Sequence, residues 1–185
     1  MKIRKCLLQE DQGMNEQYFY IRIAEEKDAQ KIHNLMVEVY EQLENKSLYV
    51  CDDLAFVKRH ISHEGFTVVA CTKEDKIVGS LILRIPDEED NLGKDIGFSE
   101  EKCQSVIHVE SAVVAPLYRG NALQRRMLQM AEAMIDRVTY SYLMATVSPD
   151  NPASYKTLES LGYELIVTKE KYDGLMRRIY RKALT

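Results

Sequence analysis

The sequence has no C-x-x-C pair, no paired-histidine spacing, no excess of basic residues and no long apolar run. Its four cysteines, Cys6, Cys51, Cys71 and Cys103, are widely scattered. That scatter matches neither zinc-ligand nor redox spacing and reads as reduced thiols, so no metal is expected. A formal net charge of −4 argues against the basic stripe that displaces counterions from phosphates, so no nucleic-acid partner is expected. Near the N-terminus the one apolar run, Cys6-Leu7-Leu8, is too short for a signal peptide or a membrane span. The expectation is a cytoplasmic protein without a membrane partner. Internal repeats, low-complexity tracts and Pro/Ser-rich linkers are also missing, so nothing divides the chain.

What is present is an ordinary globular mixture, 45% apolar and 29% charged over 185 residues, enough for one full core. Residues 1–16 read as a polar, loosely ordered leader and residues 17–185 as one domain. The run Tyr18-Phe19-Tyr20-Ile21-Arg22-Ile23 is rich in aromatic and β-branched side chains and predicts a strand. Ala29, Ile32, Leu35, Met36, Val39, Tyr40 and Leu43 recur at helical spacing and predict a helix over 27–45. A weaker helix is expected over 52–63. Strands over 66–71 and 77–83 flank a polar connection and suit a hairpin. The acidic stretch 86–102 reads as an irregular, solvated insertion. Then come a strand over 106–114, a helix marked by Leu123, Met127, Met130, Ala131, Met134 and Ile135, a strand over 140–147, and a helix over 151–161 ended by Gly162. Two closing strands are expected over 163–168 and 176–180. The class is mixed α/β, a central sheet covered by helices on both sides.

The most informative segment is Val109-Glu110-Ser111-Ala112-Val113-Val114-Ala115-Pro116-Leu117-Tyr118-Arg119-Gly120-Asn121-Ala122-Leu123-Gln124. A strand ends at a proline, turns through small and polar residues, and enters an amphipathic helix. Such a turn offers backbone N–H groups at a helix N-terminus, where the dipole also favours an anion. A pyrophosphate fits there without a dedicated cation.

This segment resembles the pyrophosphate motif of the GNAT superfamily of acyl-CoA-dependent N-acyltransferases, a strand ending V-x-P followed by Y-R-G-x-G-x-G/A and a helix. Val114, Pro116, Tyr118, Arg119 and Gly120 match; Ala122 and Gln124 stand where the motif has small residues. An alanine permits close backbone approach there if its φ is negative. Ile21-Arg22-x-Ala24 with Asp28-Ala29 resembles the family's first strand and helix. Asn151-Pro152-Ala153-Ser154 with Leu161-Gly162-Tyr163 resembles its N-x-x-A/S motif and L-G-F/Y ending.

The resemblance implies a mostly antiparallel sheet splayed in the middle, acetyl-CoA as co-substrate, and an amine acceptor. It implies that Ala112, Val113 and Val114 lend backbone groups to the pantetheine arm. Arg119, Gly120, Asn121, Ala122, Leu123, Gln124 and Arg125 would surround the pyrophosphate, and Asn151 and Ser154 would border the cofactor. Asn151 followed by Pro152 is also good helix-start chemistry by itself.

Acyl transfer to an amine needs a deprotonated nucleophile, a polarised thioester carbonyl and a proton for the leaving thiolate. Strand alternation puts His108 and Glu110 on one face with Ala112 and Val114, so either is a candidate base, directly or through water. Many family members carry a tyrosine seven residues after the motif asparagine, where this chain has Leu158; Tyr155 is the substitute candidate for the acid. A catalytically silent acyl-CoA-binding module and a cofactor-free interaction domain are the alternatives. A monomer and a homodimer are both compatible with the sequence.

Overall fold

The computed structural model describes residues 2–10, 13–172 and 174–184, with residues 2–10 and 13–17 described by their backbone alone. Strand β1 (Lys2–Glu10) pairs antiparallel with β2 (Gly13–Ile23). The segment expected to be a loosely ordered leader is therefore a strand in its backbone. Then follow β3 (Gly65–Thr72), β4 (Ile77–Arg84), β5 (Val106–Val114), β6 (Tyr142–Val147), β7 (Glu164–Lys171) and β8 (Leu175–Ala183). Among the described residues these eight strands form one sheet in the order β1-β2-β3-β4-β5-β6-β8-β7.

Every neighbouring pair is antiparallel except β5 and β6, which run parallel. That parallel pair shares only three partner positions: Val106 with Tyr142, Ile107 with Leu143, and His108 with Met144. Beyond His108 the β5 edge has no β6 partner, while β6 stays paired with β8 through Val147. The sheet thus opens where β5 runs towards its C-terminal end.

Both faces are covered. Helix α1 (Ala29–Glu41) buries Ala29, Ile32, Leu35, Met36 and Val39, and packs with α2 (Leu54–Ser62) on one side of β3 and β4. Helix α5 (Leu123–Met134) lies on the other side and buries Leu123, Met127, Leu128 and Ala131. A Cβ at Gly79 of β4 would lie 3.1 Å from Met127 Cε, so glycine lets α5 approach the sheet closely there. The methionine fills the core, as its helical spacing predicts.

The first sequence motif has a structural role. Arg22 of β2 donates to Asp28 through Nη1 at 2.5 Å and Nη2 at 3.0 Å, and Asp28 also accepts from the Glu25 N–H at 2.8 Å. This fork ties the end of β2 to the start of α1. It holds the Asp28 carboxyl below the ordinary aspartate range, with the Arg22 hydrogen bond the largest cause.

The stretch 86–102, expected to be irregular, holds two one-turn helices, α3 (Leu92–Asp95) and α4 (Glu100–Cys103). Asn91 caps the first by accepting from Gly93 N–H, and Ser99 caps the second by accepting from Lys102 N–H. Helix α6 (Pro152–Glu159) ends before Gly162, whose φ of +85° is the left-handed conformation that glycine adopts at helix ends.

Candidate active site

A cleft of about 620 Å³ occupies the opening between β5 and β6. Glu110, Ala112, Val113 and Val114 line one wall, and Ala145, Thr146, Val147 and Ser148 the other. The turn into α5 and the start of α6 close one end; Leu48, Tyr49 and Arg177 border it as well.

The turn into α5 is built as an anion site. Pro116–Tyr118 form one 3-10 turn, Arg119 is extended, and Gly120 takes a φ of +78°. No atom lies within 4 Å of a Cβ built on Gly120, so conformation, rather than space, calls for glycine. Ala122 is the N-cap of α5 at φ +54° and ψ +27°, a left-handed conformation. The negative φ expected for a close-approach alanine is not what the chain adopts, because entering α5 from the extended Arg119 takes a left-handed step. Alanine offers no capping side chain, and the first intrahelical bond runs from Arg126 N–H to Ala122 O at 3.0 Å. The N–H groups of Leu123, Gln124 and Arg125 are thus the first-turn donors that a helix cannot satisfy itself.

Side chains around this turn tie it to α6. Gln124 Nε2 donates to Ser154 Oγ at 3.3 Å, and Arg125 Nη1 to Ser160 Oγ at 3.2 Å. Asn151 caps α6 by accepting from the Ser154 N–H at 3.2 Å, and it lines the cleft as well. Arg119 Nε donates to Val114 O at 3.2 Å, across the open edge of β5. Of the residues expected around the cofactor, Asn121 alone does not line the cleft; its side chain donates to Tyr118 O at 3.1 Å and shapes the turn.

The three catalytic candidates separate. The pairing of β4 with β5 jumps from Ile82–Ser111 to Leu83–Val109, which leaves Glu110 as the extra residue of a β-bulge. Simple alternation from His108 to Val114 is therefore interrupted, and Val109 lines the cleft beside Glu110. Glu110 Oε2 accepts from Arg84 Nε at 3.0 Å and stands 3.5 Å from His108 Nδ1. Burial pushes its carboxyl pKa up, but the His108 hydrogen bond and the Arg84 charge together outweigh that and leave it below the ordinary glutamate range.

His108 is 2% exposed and does not line the cleft. Its Nε2 accepts from the Leu92 N–H at 3.1 Å, which places the ring proton on Nδ1, between Glu110 Oε2 at 3.5 Å and Arg84 Nη2 at 3.3 Å. The lone pair a base would use is already committed. Tyr155 also lies away from the cleft, with the Arg178 guanidinium 4.3 Å from its ring centre. Leu158 is 1% exposed and lines the cleft.

Sequence reasoning missed four neighbours of Glu110 and the cleft. Tyr49 shares a 2.7 Å hydrogen bond with Ser111 Oγ, and the Tyr172 hydroxyl one of 3.0 Å with Thr146 Oγ1. Burial, then the Glu110 charge, push the Asp52 carboxyl up to about 6. Arg177 of β8 is buried at the cleft wall. Tyr49 and Asp52 precede α2, and Arg177 sits near the end of the chain, so no local motif joins them. The adjacent Arg177 and Arg178 inside the strand-like run 176–180 are the available signal, and alternation puts them on opposite faces.

The model of the acetyltransferase (GNAT) family matches residues 21–163. No curated protein sequence matches the chain. Among solved structures, yncA of Salmonella typhimurium, solved with its cofactor acetyl-CoA, superposes at a TM-score of 0.67 with 17% identity, covering 90% of this chain and 94% of that one. An N-acetyltransferase from Staphylococcus aureus Mu50 gives 0.67 and 18%, over 90% and 99% of the two chains. The ribosomal-protein-S18-alanine N-acetyltransferase of Escherichia coli gives 0.66 and 14%, over 90% and 94%. The family match spans the first strand motif, the β5 opening, the uncapped turn into α5 and the Asn151 helix, and with that the chain belongs to the GNAT acetyltransferase family.

Proposed function

We propose that this protein transfers an acetyl group from acetyl-CoA to a primary amine. The observation that carries the reading is the meeting, in one cleft, of an unpaired β5 edge and the uncapped N-terminus of α5. The first suits the amides of a pantetheine arm, which complete a ladder left open. The second suits a pyrophosphate, held by N–H groups and the helix dipole. Acetyl-CoA supplies an activated thioester.

The chain's own residues then have assignable tasks. Ala112, Val113 and Val114 offer main-chain groups along the cofactor arm, and a β5 N–H polarises the thioester carbonyl. Gly120 to Arg125 hold the phosphates; Asn151 and Ser154 border the arm. Glu110, ionised throughout the neutral range, attracts the ammonium of the acceptor and receives its proton, directly or through water. His108 orients that carboxylate through Nδ1–H. Tyr155 does not line the cleft, so solvent is assigned the protonation of the departing thiolate.

The test is a panel of primary amines, including polyamines, amino acids and peptide N-termini, with release of free thiol as the readout. Amine-dependent thiol release and a matching acetylated product support the transfer. Tight coenzyme A binding without turnover of any amine supports the silent acyl-CoA-binding module, which Leu158 at the family's tyrosine position favours.

A further inference from the structure

The cleft contains a buried cation that the proposed transfer does not use. Arg177 is 4% exposed and lines the cleft. Its guanidinium donates Nη2 to Ser47 O at 2.8 Å and Nη1 to Met176 O at 3.2 Å, both neutral main-chain carbonyls. The Tyr172 ring centre lies 5.8 Å from Cζ. Among the described residues no carboxylate forms an ion pair with it.

Two half-buried arginines behave differently. Arg22 is matched by Asp28, and Arg84 by Glu110 and Asp90. Those carboxylates help to raise the pKa values of Arg22 and Arg84. Burial lowers that of Arg177, with Tyr172 alone acting the other way. A guanidinium has five N–H donors in a planar fork that fits a carboxylate. Two main-chain carbonyls leave donors over, and a buried cation without a counter-ion is costly unless something anionic meets it.

The position of Arg177 narrows what that anion is. Arg119 and Arg125 already stand at the turn that suits the pyrophosphate. Arg177 instead belongs with the opposite features, bonded to the loop before Tyr49 and packed near Tyr172, whose hydroxyl meets Thr146. Glu110 lines the same cleft; Arg84 holds its Oε2, while its Oε1 takes no hydrogen bond among the described residues and is left for an ammonium. One cleft therefore presents a fixed anion and a fixed cation beside the β5 opening.

We infer that Arg177 recognises a carboxylate carried by the acceptor itself, so that the acceptor is a small amino-carboxylic acid rather than a simple amine. This rests on the acetyltransferase reading. The guanidinium forks the acceptor carboxylate while Glu110 takes up the ammonium end, which orients the amine towards the thioester.

The wild-type protein is incubated with acetyl-CoA and the twenty common L-amino acids, and products are read by mass spectrometry. Each amino acid that reacts is then compared with its decarboxylated amine. N-acetyl amino acids should form, with kcat/KM about 10–100-fold above that of the matched amine, the range expected for a lost charged hydrogen-bond pair. Arg177→Gln should remove most of that difference through KM, Arg177→Lys should restore part of it, and coenzyme A affinity should stay within about twofold. Equal use of both members of each pair by the wild-type protein overturns the inference without needing any variant to fold. So does acetylation of amines with the amino acids untouched, or an equal loss on both in Arg177→Gln. A parallel arm supplies succinyl-CoA with simple amines; an Arg177-dependent preference for that donor, without discrimination among acceptors, assigns the arginine to the acyl group and likewise overturns it. In the acceptor outcomes coenzyme A still binds and the acetyltransferase reading stands; a succinyl-CoA preference keeps acyl transfer but changes the acyl group, and absence of coenzyme A binding removes the reading altogether.

Discussion

Gly120 and Ala122 form a matched pair for which opposite substitutions have opposite expected effects. Both residues have positive φ, +78° and +54°, yet only one is glycine. An L-residue in the left-handed region costs about 1–2 kcal/mol. Replacing alanine by glycine releases that cost but adds about 0.4–1 kcal/mol of unfolded-chain entropy. Ala122→Gly should therefore stabilise the protein by roughly 0.5–1 kcal/mol. Gly120→Ala should destabilise it by a similar amount, because no neighbour stands within 4 Å to add a steric term. For a chain of this length, about 2–4 °C accompanies each kcal/mol, so the two melting temperatures should move apart by roughly 2–8 °C. Thermal denaturation followed by circular dichroism without ligand reads this directly. A fall for Ala122→Gly, or a rise for Gly120→Ala, refutes the left-handed geometry of the turn.

Three further outcomes follow from the site. Glu110→Gln should lower turnover by roughly 10²–10⁴-fold while coenzyme A affinity, measured by calorimetry, stays nearly constant. Asp52 is raised from 3.8 to about 6, so folding favours its protonated form. Its contribution is neutral below pH 3.8, becomes steadily more destabilising between pH 3.8 and 6, and levels off above 6 at no more than about 3 kcal/mol. Asp52→Asn should accordingly raise the melting temperature most at pH 8, about half as much at pH 5 and little near pH 4; a gain independent of pH contradicts this. Tyr155→Phe should leave the rate within about twofold, since Tyr155 does not line the cleft; a loss in the range expected of a general acid would return Tyr155 to the mechanism.

Much of this architecture was legible because local patterns carried it. The apolar, β-branched runs of β3 and β4 flank a polar turn, and the helical spacing from Ala29 to Val39 marks the buried face of α1. The β5–α5 segment showed its anion-binding turn through Pro116, Gly120 and the amphipathic helix that follows. What stayed hidden depends on partners distant in sequence. The bulge at Glu110 exists only in the pairing with Ile82 and Leu83, so alternation misplaced the strand's side chains. Strand position alone makes His108 a candidate base, but the Leu92 N–H, sixteen residues away in sequence, occupies its Nε2. Tyr49, Asp52 and Arg177 reach the cleft region from segments well outside the β5–α5 motif. Ala122 in a left-handed conformation contradicts the ordinary preference of alanine, and only the loop geometry reveals it.

The central claim is that the turn into α5 and the open β5 edge hold coenzyme A, and thermal denaturation in its presence tests it most directly. A ligand at 100 times its Kd stabilises the folded state by about 2.7 kcal/mol, roughly 5–10 °C for a protein of this size. Coenzyme A and desulfo-coenzyme A should both produce that rise, because backbone N–H groups recognise the phosphates, and Gly120→Pro should abolish it where Arg126→Ala does not. No shift with either ligand at millimolar concentration would contradict the account.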